Sequence, residues 1–397
     1  MLLSGTLVFS LGRGMYMAGS VVLFSRKMGL TADQIGIVLS VAGVSGFLAA
    51  VPVGRLGDRF GARRTALSVQ LVEACTMLLL LRTNSYPILL CLAVVIGAAD
   101  RGTQITRQML VTLVATPQSR VRLLALMRSA FNVGAAVGAL VVAPVLAVDR
   151  HAFYDLLLIT ISLCYFGVSL TTRKLPRTPV GTTQEPPSKE RDRVPLAYLA
   201  VGLVNGVLML HVSVLNIAIP LWLIQQTSAP RAAISFLLVV NTVMAVLLQV
   251  RVSRSADTVD GAARTLAVSS VFCAVACAVF SGTRLLNGLV LLLALALGAA
   301  LLTLGELAQQ SGAWGVSFGL APVAQQGRYL GVFSFGGSLQ DIAGPAVVTA
   351  VVIGFAPAGW WILAALFVTG GLLVMPLTRY AIRSAACRSD ADEEVTV

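Results

Sequence analysis

Nine ionisable side chains stand inside apolar runs where charge is costly: Arg13, Glu73, Asp100, Arg101, Arg107, Arg128, His211, Glu306 and Asp341. A charged group in hydrocarbon costs roughly 3 kcal/mol on insertion scales, so each needs a partner or a role. Three kinds of chemistry suit such a set: pairing between helices, recognition of a charged solute, and proton carriage. Arg13 sits in SLGRGMY, where Gly12 and Gly14 leave it room. It is read as a solute-binding cation or as the counter-ion of Asp100 or Glu73. Asp100, Arg101 and Arg107 lie within eight residues and are able to satisfy one another. His211 is a solute ligand or a hydrogen-bonded packing residue. Asp341, in GGSLQDIAGP, is a candidate proton carrier, with pairing to Arg128 as the plainer role. Glu73 is read as structural.

The elements that position these groups are transmembrane helices. Of the residues, 57% are hydrophobic and 12% charged, against about a quarter charged in soluble chains. Apolar runs recur from end to end, each long enough for a helix to cross a ~30 Å hydrocarbon layer. They lack the alternation of barrel strands, so the fold class is an all-α polytopic membrane protein. Hydropathy predicts twelve spans, at roughly 2–25, 33–54, 66–82, 86–115, 122–148, 152–171, 195–225, 231–250, 264–283, 286–320, 328–355 and 358–378. The first begins at Met1 without a basic leader and is read as a retained span, with a start that suggests a late start codon or a trimmed terminus. The segment RKLPRTPVGTTQEPPSKERDRVP is the long polar connector. The expected organisation is therefore a first six-helix bundle at 1–172, a cytoplasmic linker at 173–194, a second bundle at 195–379 and a tail at 380–397.

The net charge of +12 raises the possibility of nucleic-acid binding, but the basic residues lie in the turns between spans. Of the 29 lysines and arginines, 19 fall on one side and 6 on the other, which predicts both termini in the cytoplasm. The six cysteines are scattered and outline neither a disulfide framework nor a metal site. Two histidines, no metal spacing and no nucleophile motif argue against an enzyme, and no phosphate-binding loop supports direct ATP drive. No cofactor and no metal is expected.

The halves read as copies. IGIVLSVAGVSGFLAAVPVGRLGDRFGARRT at 35–65 aligns with ISFLLVVNTVMAVLLQVRVSRSADTVDGAART at 234–265, placing Asp58 on Asp257. Further on, Arg122 aligns with Arg328, and counting back from Pro117 and Pro322 sets Arg101 on Glu306. Parallel repeats of this kind are related by an axis along the membrane normal. Intramembrane charge sums to +2 in the first half and −2 in the second.

Between spans two and three, GRLGDRFGARR has glycines that permit a tight reversal and an aspartate suited to a helix amino terminus. A basic turn alone explains its arginines but not its ordered spacing. That spacing resembles the signature loop of the major facilitator superfamily, matched by Gly54, Leu56, Gly57, Asp58, Arg59, Gly61, Arg63 and Arg64. In the second copy, Arg254, Asp257, Gly261 and Arg264 keep the pattern. The resemblance implies two pseudo-symmetric six-helix bundles working by alternating access around a central site. The loop (Gly54, Asp58, Arg59, Gly61, Arg63, Arg64) would latch them in the outward-facing state. Spans one, four, seven and ten would line the cavity, so Arg101 and Glu306 would face each other across it as part of the switch.

The antiporter glycine–proline of span five is absent, since Ala139 follows Gly138, and Gly344–Pro345 occurs in span eleven instead. The fourth-span Arg-x-x-Gln-Gly element is matched by Arg101 and Gln104, then broken at Ile105. The chain is similar to the bacterial drug and metabolite efflux branch. This implies proton-coupled export of small amphipathic compounds by a monomer in the bacterial inner membrane. The alternative is a carrier for an anionic or zwitterionic metabolite, favoured by the arginines of spans one and four. A receptor or scaffold retaining the same loop is the third class.

Overall fold

In this computed structural model the described residues are 2–83, 85–116, 119–148, 150–176, 194–230, 232–322 and 325–394. Pro117 and linker residues 177–193 lie outside them. The described residues form twelve helical segments: α1 (Leu2–Val22), α2 (Ala32–Phe60), α3 (Ala62–Leu80), α4 (Tyr86–Val114), α5 (Arg120–Val148) and α6 (His151–Arg173) in the first half. The second half holds α7 (Leu196–Gln226), α8 (Ala232–Ser253), α9 (Val259–Gly282), α10 (Gly288–Gly319), α11 (Gln326–Val352) and α12 (Ala358–Glu394). Among the described residues ten of these are long and apolar enough to cross a membrane, α1 and α3 being the other two segments. The twelfth runs as helix well beyond 379, into the expected tail.

The chain forms two compact units, Met1–Glu185 with Pro322–Gly331, and Pro186–Ala321 with Val332–Val397. The start of α11 thus belongs to the first unit. Helix boundaries follow local chemistry. Thr31 and Gln34 form a reciprocal cap at the start of α2. Gly61, at φ 88°, reverses the chain between α2 and α3, a conformation that L side chains rarely adopt. In the second unit Thr258 accepts the Gly261 N–H (3.0 Å) to cap α9.

Packing inside each unit uses small residues. In the first, α1 and α5 meet where a Cβ at Gly138 would collide with the backbone of Leu11 and Met15. In the second, α7 and α11 meet backbone to backbone at Gly206 and Gly336. The repeat has kept one device at equivalent helix pairs, as expected where packing rather than hydrophobicity joins helices in lipid. Gly138→Val should therefore lower the thermal unfolding midpoint by several degrees, since overpacking costs about 1–3 kcal/mol. Differential scanning fluorimetry of the purified variant checks this.

The outward faces carry large apolar side chains, such as Leu48, Leu140, Leu163, Leu247 and Leu372. Interior contacts include Phe9 against Tyr165 in the first unit, and Trp222 and Phe280 packed on Trp360 in the second. At one end of the first unit Lys27 pairs with Asp155 and donates to the Leu81 carbonyl (3.4 Å), tying α3 and α6 to the end of α1.

Span seven is broken, against the continuous helix that hydropathy predicts. Regular α-helix stops at Leu208, resumes for one turn at His211, and widens into a π-helical turn over Val214–Ala218. Pro220 explains the widening: it lacks an N–H and its ring displaces the carbonyl four residues back. The Asn216 amide donates to the Val212 carbonyl (2.8 Å) inside the break.

Candidate functional site

In the first unit the structure brings Arg13 and Asp100 together. Arg13 Nη1 lies 2.9 Å from Asp100 Oδ1, joining α1 to α4. Both side chains keep about a quarter of their surface exposed, at 23% and 27%. Gln104, one turn along α4, donates to the other Asp100 oxygen at 2.9 Å. Asp100 therefore pairs with Arg13 rather than with Arg107. Phe131 of α5 provides a flat wall: the guanidiniums of Arg13 and Arg128 each lie 5.8 Å from its ring centre. Two guanidiniums on one aromatic ring, with the Asp100 carboxylate on Arg13, make this patch charged and amphipathic. Arg101 is half-buried on α4.

Deeper in the same unit, Thr103 donates to Glu73 Oε2 at 2.9 Å, an α4–α3 bond inside the bundle. Arg107 bonds Thr6 of α1 and lies over the Phe9 ring at 4.7 Å. Glu73 is thus internal to the first unit. Gln70, a turn away, has both amide atoms buried without a hydrogen-bond partner among the described residues.

The turn resolves its roles by residue. Asp58 Oδ1 accepts the Gly327 N–H and Oδ2 the Arg328 N–H, both at 2.8 Å. Both N–H groups lie in the first turn of α11, where the helix itself supplies no acceptor and a negative charge also meets the helix dipole. Gly54 makes the approach possible, since a Cβ there would overlap the Gly327 carbonyl. Gly61 forms the reversal. Arg59 and Arg64 are exposed and Arg63 half-buried.

In the second unit Glu306 on α10 is buried, and Oε2 accepts from the Asn241 amide of α8 at 2.8 Å. Asn241 also donates to Thr303 (3.1 Å). His211 is buried at the break in α7, with Nδ1 2.9 Å from the Leu208 carbonyl. Asp341 is exposed on α11. Gln309 donates to Asn205 (2.7 Å), joining α10 to α7, and Gln340 donates to Ser213 (2.8 Å), joining α11 to the break. Trp222 is fully buried and donates to Thr283 at 2.9 Å, which makes it a packing residue.

Sequence reading missed Phe131 and Asn241. An amide in the apolar run of span eight was a readable signal for Asn241. Nothing in the pattern distinguished Phe131 from other apolar positions.

Residues 2–209 match the family profile described as Major Facilitator Superfamily. No curated protein matches the sequence. Among solved structures, the chain is similar to the human organic anion transporter MFSD10 (TETRAN), with TM-score 0.68, 18% identity, and 94% of this chain and 97% of that one covered. It is also similar to FucP, the E. coli fucose:proton symporter, in the outward conformation (TM-score 0.66, 16% identity, 96% and 97% covered). A third similar structure is the proton:xylose symporter XylE (TM-score 0.66, 12% identity, 95% and 94% covered).

Proposed function

Because the chain belongs to the Major Facilitator Superfamily, a family of membrane carriers rather than enzymes, we propose that it is a secondary active transporter of a small amphipathic organic anion. The observation that carries this reading is the quarter-exposed Arg13–Asp100 pair beside Phe131 and Arg128. A carboxylate solute displaces Asp100 from Arg13 in kind, and its apolar body stacks on the ring. Arg13 then binds, Asp100 offsets the Arg13 charge while the site is empty, and Gln104 orients Asp100. A similar structure is that of an organic anion transporter, which supports the same solute class.

Alternating access is proposed to turn on Asp58, whose bonds to the start of α11 form in one access state and break in the other. Export direction, the bacterial inner membrane, cytoplasmic termini, a monomeric state and proton coupling complete the reading. The two sugar:proton symporters among similar structures support coupling to protons. Arg101 and Glu306, matched by the repeat register, are assigned to the switch, with Asp341 and His211 as further polar groups of the second unit.

The test is a thermal-shift panel followed by proteoliposome uptake with and without an imposed pH gradient. Aryl carboxylates should stabilise the protein while their neutral amides do not. Uptake should follow the gradient. Stabilisation by cations alone would overturn the solute class, and uptake indifferent to the gradient would overturn proton coupling. Glu306→Gln should flatten the pH profile of uptake; full-rate transport with an unchanged profile would remove Glu306 from the mechanism.

A further inference from the structure

Inside the first unit, both amide atoms of Gln70 and Nη1 of Arg107 are buried without a hydrogen-bond partner among the described residues. The Glu73–Thr103 bond joins α3 to α4, consecutive helices packed antiparallel. Counting from that bond, Gln70 is one turn back along α3 and Arg107 one turn on along α4, both toward the turn at Gly61. Gln70 and Glu73 are each 1% exposed, and Glu73 forms no ion pair among the described residues. Buried water is held by polar groups of this kind, each molecule making about three hydrogen bonds.

The surroundings give this polar chamber a direction. Beyond Glu73, Met77 and Leu80 of α3 and Leu89 and Ile96 of α4 belong to one buried apolar cluster. On the other side lie Thr6 of α1, which Arg107 bonds, and Ser169 and Thr172 of α6, all buried. Gly5 packs on Thr171 there, close to where α1 begins and α6 stops. A fixed guanidinium disfavours a metal cation in the chamber, whereas water can relay a proton to a carboxylate.

The repeat supplies an internal contrast. In the register that sets Gly61 on Gly261 and Arg101 on Glu306, the second unit has Cys273, Ala308 and Gly312 in place of Glu73, Thr103 and Arg107. There α9 and α10 close up, since a Cβ at Gly312 would meet the backbone of Ala262 and Leu266. Packing alone suffices at this level of the second unit, so the buried carboxylate, guanidinium and amide of the first serve something else.

We propose that Glu73 is a proton-binding residue, reached by water that Gln70 and Arg107 hold inside the first unit. The proton enters from solvent at the Thr6 and Thr172 end and converts the Glu73 carboxylate to a neutral carboxyl beside Thr103. The titratable groups within electrostatic reach of Glu73 are Asp100 and Arg107 of α4, Arg13 and Tyr16 of α1, and Tyr165 of α6. Residues 36–54 of α2 contribute none. A proton on Glu73 changes the charge facing the Arg13–Asp100 pair, and this tie to proton coupling, unlike the proton site itself, rests on the proposed function.

The experiment uses the full-length protein in detergent and reads the infrared C=O stretch that only a protonated carboxyl gives. Acid titration of the wild type should raise a carboxyl band that Glu73→Gln removes. Glu73→Asp should restore a band at a shifted frequency, as a variant that had lost its fold would not. In deuterium oxide the wild-type band should shift promptly, and Gln70→Leu should slow that shift severalfold while keeping the band. Should Gln70→Leu fail to fold, Ser169→Ala/Thr172→Val must slow the shift in its place. A titration that Glu73→Gln leaves unaltered, or deuterium exchange that neither chamber variant slows, would overturn the proposal. These readouts need neither solute nor gradient, so their failure leaves the proposed function standing, and uptake indifferent to a pH gradient leaves the Glu73 band intact.

Discussion

Asp58→Asn should cut transport by roughly two orders of magnitude while leaving the protein folded. The carboxylate receives two 2.8 Å bonds from the first free N–H groups of α11. A hydrogen bond to a charged acceptor contributes about 1.5–3 kcal/mol, and the helix terminus adds a fraction more. Asparagine keeps the size and one acceptor but loses the charge and the second acceptor. A net loss of about 3 kcal/mol shifts a two-state equilibrium roughly 100-fold. A carrier cycling between states of similar energy then spends its time in one of them. Uptake rate in proteoliposomes, alongside an unchanged unfolding midpoint in detergent, is the measurement. Asp58→Glu should recover little, because Gly54 and Gly327 leave no slack for a longer side chain.

Arg13→Gln should weaken binding of an aryl carboxylate by about 30-fold. Breaking a fully buried pair by removing one partner costs about 3–5 kcal/mol; here both side chains are about a quarter exposed, so roughly 2 kcal/mol is the discounted figure. Asp100→Asn alone should lower the unfolding midpoint, since it removes the carboxylate that Arg13 pairs with at 2.9 Å. Arg13→Gln/Asp100→Asn should recover that stability without recovering affinity. The double-mutant cycle separates the two roles, because pairing is shared between the residues and solute recognition belongs to Arg13. Affinity from isothermal calorimetry and midpoints from fluorimetry complete it.

The sequence carried the spans and the turn well, for physical reasons. Twenty apolar residues admit few structures in lipid, and Gly61 with Asp58 specifies a reversal and a cap whatever surrounds them. Pairing was harder. Arg13 had two acidic candidates, Asp100 and Glu73, and hydropathy has no term for helix rotation. The structure assigns Arg13 to Asp100, while Glu73 receives Thr103 from α4. The break in α7 was missed because Leu208–Leu210 is as apolar as any helix, although Pro220 was in view. Asn241 beside Glu306 depended on a register between α8 and α10 that no local pattern encodes.

Double electron–electron resonance between spin labels on the exposed positions Ser68 of α3 and Ser255 beyond α8, in a cysteine-free background, tests the proposed cycle most directly. Alternating access driven by Asp58 predicts two distance populations in the wild-type protein and a shift between them on Asp58→Asn. A single distribution, indifferent to that substitution, would contradict it.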